Sequence, residues 1–165
     1  MKKKELSPET EEKTVWGEGP PDARIVLIGQ NPGEEEAKQG RPFVGRTGKY
    51  LDRVLEKYNI PRGKLFITSV VKRKTPKNRK PTAEEIKYWL PYLIEEIKRV
   101  KPELIVLMGE VARQTPRFEG IRYIETYHPT AAIRFPKIRV KFEADFQKLK
   151  EQLDRISISG HERGD

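Results

Sequence analysis

The chain has 165 residues, 34 Lys+Arg against 25 Asp+Glu, a formal net charge of +9, 35% hydrophobic residues and no Cys. That length and apolar content fit one globular domain with a modest core, and the missing Cys excludes disulfides, thiolate metal sites, iron–sulfur ligation and a catalytic thiol. With His128 and His161 the only His, a His-rich metal site is excluded too, while the positive charge points to nucleic acid or another anionic surface.

No apolar run approaches the ~20 residues of a membrane span, and no apolar h-region follows the basic start, so a soluble, cytoplasmic chain is expected. Charged residues of mixed sign make up 36% of the sequence, a composition that leans towards a thermophile.

Residues 1–16 carry no periodic apolar pattern and lead as an arm through Gly17, Gly19, Pro20 and Pro21. The apolar run over 24–28 predicts a strand covered on both faces, ending at Gly29. Tyr50, Leu51, Val54, Leu55 and Tyr58 predict a helix over 47–58, and residues 65–71 a second strand. Six of the ten residues of KRKTPKNRKP, 72–81, are basic and two are Pro, which predicts an exposed loop. Thr82, with Glu84 and Glu85, opens a helix that runs to Val100 with Pro91 as a kink point. A strand over 103–108, a short helix over 109–115, a strand over 121–126 and an amphipathic helix over 138–153 follow. The remaining segment, 155–165, reads as a flexible tail after a single domain spanning 1–154. The alternation predicts an α/β fold, a three-layer α/β/α arrangement around a four-stranded, mainly parallel sheet.

In such sheets ligands bind beyond the carboxyl ends of the strands. After the first strand come Gly29-Gln-Asn-Pro-Gly33, three Glu at 34–36 and Gly40-Arg-Pro-Phe-Val-Gly45. Pro32 restricts Asn31 to an extended geometry. An isolated Asn-Pro-Gly is more often an ordinary turn, and the segment carries neither a Walker loop nor a dinucleotide fingerprint. After the last strand comes Tyr127-His-Pro-Thr130, and a lone His such as His128 is commonly structural.

Taken together, GQNPG, RPFVG and HPT stand in the order of the active-site motifs of the uracil-DNA glycosylase superfamily. Over about residues 15–153 the chain resembles most closely its family-4 enzymes, through VWGEGPPDARIVLIGQNPGEEEAKQGRPFVGRTGKYLDRVL, LFITSVVKRKTPKNRKP, KPELIVLMG and YHPTAAIRFP. The resemblance implies the uracil-DNA glycosylase fold and a monomeric, monofunctional enzyme of base-excision repair. Such an enzyme flips a deaminated base out of DNA and hydrolyses its bond to deoxyribose.

It also implies roles for residues. Phe43 is the plane on which the base stacks, and His128 the neutral imidazole that donates to the pyrimidine O2. Asn31 stands where mismatch-specific and single-strand-selective relatives hold the water, while Gly29, Gln30 and Ser69 complete the base pocket. Gln30 replaces a family-4 Glu, and because an amide is no base near neutral pH, Asn31 orients the water rather than deprotonating it. Ser69 replaces an Asn that reads the uracil edge with two contacts, which a single hydroxyl cannot reproduce. Uracil is favoured as substrate, with hypoxanthine or xanthine as alternatives, and Gln30 and Ser69 keep open a non-catalytic module that recognises damaged or abasic DNA.

Family-4 enzymes bind a 4Fe–4S cluster through four Cys. Here two of those positions read Arg73 and the Tyr88-Trp89 region, so no cofactor or metal is expected. Lys72, Arg73, Lys74, Lys77 and Arg79, with Arg134, are expected to follow phosphates, and Ile133 or Arg134 to push into the duplex.

Overall fold

The computed structural model describes residues 13–162, the side chains of 157–162 excepted. Residues 1–12 of the arm expected over 1–16 and the last three residues of the expected tail lie outside the described residues.

Strands β1 (Ile25–Gly29), β2 (Leu65–Ser69), β3 (Leu104–Met108) and β4 (Arg122–Thr126) form one sheet in the order β2-β1-β3-β4, with every pairing parallel. The central strands are buried along their whole length because both faces are covered, which is why their sequences are continuous apolar runs. Ile25, Leu27 and Val106 pack into the layer holding helices α2 (Arg46–Lys57) and α5 (Pro136–Glu162). Val26, Ile28 and Leu107 pack into the opposite layer, against helix α3 (Ala83–Val100). Three layers result, as the alternation predicts.

Helix α3 starts where the Thr-x-x-Glu spacing places it. The Thr82 hydroxyl accepts from the Glu85 amide at 3.1 Å, and the Glu85 carboxylate accepts from the Thr82 amide at 2.8 Å. The Arg79 guanidinium beside Glu85 helps hold its carboxyl down at about 2.

Short elements depart from the expectations. The helix expected over 109–115 is a single 3₁₀ turn, Ala112–Gln114, confined between the positive φ of Gly109 and Pro116. Helices α1 (Glu34–Gln39) and α4 (Pro129–Arg134) have six residues each, too few for a periodic signal. Helix α5 continues to Glu162, past the end expected at 153. Its continuation is anchored, since Ile156 is buried and its carbonyl accepts from Arg24 at 3.0 Å. Among the described residues no helix is long and apolar enough to cross a membrane.

Because all four strands run the same way, their carboxyl ends meet at one edge, with Gly29 in register with Ser69 and Met108 with Thr126. The segments after Gly29, Ser69 and Thr126 therefore converge, however far apart they lie in sequence.

Candidate active site

A cavity of about 620 Å³ opens at that edge, with Gln30, Asn31, Phe43, Ser69, His128 and Arg134 in its walls. Six residues expected at the site from three separate segments thus share one space. Gly29 is placed differently. It lies behind Phe43, and a Cβ at position 29 would fall 2.5 Å from the Phe43 ring. Glycine here lets the aromatic ring lie against the end of β1.

Phe43 adopts a left-handed backbone, φ +50°, which costs a non-glycine residue roughly 1–2 kcal/mol. Arg62, on the 3₁₀ turn before β2, holds it there. One guanidinium nitrogen donates to the Phe43 carbonyl at 2.8 Å, the other to the Pro42 carbonyl at 2.7 Å, and Asp52 pairs with the first at 2.8 Å. Nothing in the local sequence of Arg62 marks this role.

Glu36 performs the matching task for the loops. Its Oε1 accepts from the Gly33 amide at 3.0 Å, and its Oε2 from the Val44 and Gly45 amides at 2.8 and 2.7 Å. One carboxylate ties the Asn31 loop to the Phe43 loop, beyond the favourable charge of an acidic residue at a helix start. Neither contact is legible in the sequence, because Gly33 has no capping side chain and Val44 and Gly45 lie in a separate loop.

His128 caps α4. Its Nδ1 accepts from the Thr130 amide at 3.1 Å, so in the neutral ring the proton sits on Nε2, and the ring is a donor through that nitrogen. Burial pushes the imidazole down to about 4, keeping it neutral through the physiological range. Gly109, φ +99°, admits it: a Cβ there would stand 3.1 Å from the His128 Cβ. The Phe43 and His128 ring centroids are 6.3 Å apart.

Asn31 Oδ1 accepts from Gln30 Nε2, and Asn31 Nδ2 donates to the Pro32 carbonyl, both at 3.2 Å. The two amides thus orient one another. Ser69 is buried, and its hydroxyl donates to the Val71 carbonyl at 2.7 Å.

The basic segment differs most from expectation. Lys72 is fully buried and therefore makes no phosphate contact. Its ammonium bonds to Glu96 Oε1 and Thr68 Oγ1, each at 2.6 Å, and to the Ser69 carbonyl. Burial pulls its pKa below the ordinary range, and Glu96 opposes that shift. Glu96, itself buried, also accepts from the Gly17 amide at 2.8 Å and the Thr68 hydroxyl at 2.7 Å. Arg73 donates to Thr14, and Arg79 pairs with Glu85 at 2.7 Å. Lys74 is half-buried, and Lys77 is exposed. Ile133 is half-buried against the core, so of the two residues expected to enter a duplex only Arg134 is exposed.

A 4Fe–4S cluster does not fit this chain. No thiolate exists, and Trp89, in the region where the resemblance places a family-4 cysteine, is buried in an aromatic cluster, its ring centre 6.0 Å from that of Trp16 and 5.1 Å from those of Tyr88 and Tyr92. Among the described residues no group of three or more acidic or His side chains is placed to hold a metal ion.

Known proteins resemble this chain over most of its length. The family model described as "Uracil DNA glycosylase superfamily" matches residues 16–154. The chain is 37% identical over 161 residues to the Type-4 uracil-DNA glycosylase of Sulfurisphaera tokodaii, covering 83% of this chain and 73% of that protein. It is 36% identical over 169 residues to the Type-4 uracil-DNA glycosylase of Saccharolobus solfataricus, covering 88% and 78%. It is also 30% identical over 166 residues to the DNA polymerase of Bacillus phage SP01, covering 92% of this chain and 18% of that protein.

Proposed function

The chain belongs to the uracil DNA glycosylase superfamily and is a DNA glycosylase, a hydrolase of N-glycosyl bonds, and we propose that it removes a deaminated base, uracil in preference, from DNA. The observation that carries this reading is that Phe43 and a neutral His128 face one cavity.

A base extruded from DNA needs an apolar plane to replace its lost stacking, and Phe43 supplies one. When the C1′–N1 bond breaks, its electron pair departs on the base and spreads to O2. The His128 Nε2–H donates there, and a positioned donor of this kind contributes about 2.7–4 kcal/mol to the transition state. A water oxygen bonds to C1′, and one water proton ends on the released base or in solvent. Asn31 orients that water through its amide, already fixed by Gln30 and Pro32.

Ser69 supports a deaminated base for a separate reason. Its one proton is committed to the Val71 carbonyl, so towards any other partner its oxygen offers lone pairs. Uracil carries N3–H where cytosine has a bare ring nitrogen, and hypoxanthine carries N1–H where adenine has one. An acceptor at Ser69 pairs with the first of each couple and repels the second.

The test is a set of matched oligonucleotides containing uracil, hypoxanthine, xanthine or only normal bases, followed by alkaline cleavage at abasic sites. Cleavage at uracil, with cytosine intact, is expected. Cleavage at hypoxanthine alone would move the substrate, and tight binding to damaged DNA without cleavage of any oligonucleotide would contradict the catalytic reading.

A further inference from the structure

Lys72 and Glu96 are the most deeply buried charged side chains among the described residues, at 0% and 3% exposure. They pair at 2.6 Å, and neither lines the cavity. An ammonium has three protons, and here each has its own acceptor: the Glu96 carboxylate, the Thr68 hydroxyl and the Ser69 carbonyl. The last of these belongs to a residue of the cavity wall.

The pair holds several segments together. The Ser69 hydroxyl donates to the Val71 carbonyl at 2.7 Å, while the Val70 and Val71 amides donate to the Gly29 and Gln30 carbonyls at 3.1 and 3.0 Å. The turn after β2 is thus tied to the end of β1 by its amides and to Lys72 by the Ser69 carbonyl. The Val15 amide donates to the Lys72 carbonyl and the Gly17 amide to Glu96 Oε2, each at 2.8 Å, and Val15 is itself part of the cavity wall. Glu96 brings helix α3 into the same network. A buried ion pair adds little stability over an apolar pair of similar volume. What it adds here is direction, since a fully satisfied polar network fixes each of its groups where apolar packing would leave them free to turn.

We propose that Lys72 and Glu96 are positioning residues for base selection: without touching DNA, they hold Ser69 so that its lone pairs meet the ring N–H of a deaminated base and repel the bare ring nitrogen of cytosine. Selection by one acceptor depends on its angle and distance, because a hydrogen bond weakens steeply when misaligned. Ser69 has a single hydroxyl for this task, so any shift of its carbonyl, or of the turn to Val71, passes directly to the base.

The proposal rests on the glycosylase reading, and its test is kept apart from catalysis. Affinity is measured for two single strands that differ at one nucleotide, 2′-fluoro-2′-deoxyuridine or 2′-fluoro-2′-deoxycytidine, whose fluorine slows loss of the base. The ratio of the two dissociation constants reports selection alone. In the variant Lys72→Met with Glu96→Leu the ratio is expected to fall about tenfold, the order of one well-made hydrogen bond, and Glu96→Gln should lower it in the same direction. Leu149→Ala, a cavity in the opposite layer, should lower the thermal midpoint and leave the ratio unchanged. Ser69→Ala should lower the ratio as far as the pair variant does, and the two combined no further. An unchanged ratio in the pair variant or, if that chain does not fold, in Glu96→Gln would overturn the proposal. So would an equal fall in Leu149→Ala, or multiplied losses in the combined variant. Equal affinity of the wild type for both strands would overturn it too, whereas release of uracil from a cleavable strand would still uphold the glycosylase reading. Preference for the uridine strand without any release of uracil would contradict that reading, and the ratio would still decide the role of the pair.

Discussion

The rings of Phe43 and His128 stand 6.3 Å apart with their planes inclined by 33°, although 85 positions separate them in the chain. The pair exists because β1 and β4 run parallel and deliver their following loops to the same edge. Each ring is held by a different device: Phe43 by the clamp of Arg62 on a strained turn, His128 by the Thr130 amide.

The Arg62 clamp should matter to catalysis without touching substrate. Arg62→Ala frees the carbonyls of Pro42 and Phe43 and lets the left-handed turn relax, removing about 1–3 kcal/mol of enforced geometry. Base stacking on Phe43 is then expected to weaken, seen as a raised KM for a uracil oligonucleotide. Phe43→Leu, which keeps the turn and removes the ring, should do the same. Wild-type KM in both variants would refute the role.

The pH dependence follows from His128. Burial holds it at about 4 against an ordinary 6.5, so between those values the unfolded chain takes a proton that the folded chain refuses. The stabilisation is full above pH 6.5 and is lost as pH falls towards 4, with a slope of at most about 1.4 kcal/mol per unit. Urea midpoints measured from pH 7.5 to 4 should decline in this window for the wild type and less for His128→Gln. The acid limb of single-turnover excision should likewise fall near 4 rather than 6.5, since protonation at Nδ1 sets two donors against each other at Thr130.

Glu36 is expected to be the most sensitive carboxylate near the cavity. Glu36→Ala leaves the Gly33, Val44 and Gly45 amides without their acceptor, a loss of about 1–3 kcal/mol. Glu34→Ala, on the exposed side of the same helix, should change stability far less. Thermal midpoints of the two variants make the comparison, and equal losses would show that the acidic run acts only as charge.

The buried pair gives a sharper contrast. Lys72→Met strands the Glu96 carboxylate in the core and should cost about 3–5 kcal/mol. Adding Glu96→Leu should recover part of that loss, because no lone charge remains, but not all, because the Gly17 amide and Thr68 hydroxyl lose their acceptor. A double variant less stable than Lys72→Met would contradict the desolvation argument.

The long elements were legible because their apolar spacing is strong: Tyr50, Leu51, Val54 and Leu55 face inward as their period indicates, and Val26 to Ile28 disappear between two layers. The motifs around Asn31 and His128 were legible because each follows a strand, and the one around Phe43 because it stands between them in the order of the superfamily's motifs. What stayed hidden depends on contacts between distant segments. Lys72 sits in a basic run and reads as surface; only the fold brings Glu96 over from α3. Arg62 looks like an ordinary loop residue until its guanidinium reaches back 19 residues to Phe43. Helices α1 and α4 are shorter than the window in which a 3.6-residue period can be seen.

The most direct test of the whole account is single-turnover release of free uracil from a uracil-containing duplex by the wild type, Asn31→Ala and His128→Ala. The account predicts release by the wild type, a fall of about 100-fold or more for His128→Ala at saturating protein, and a comparable loss for Asn31→Ala with affinity for the duplex little changed. Wild-type rates in both variants, or no uracil released by any of the three, would contradict it.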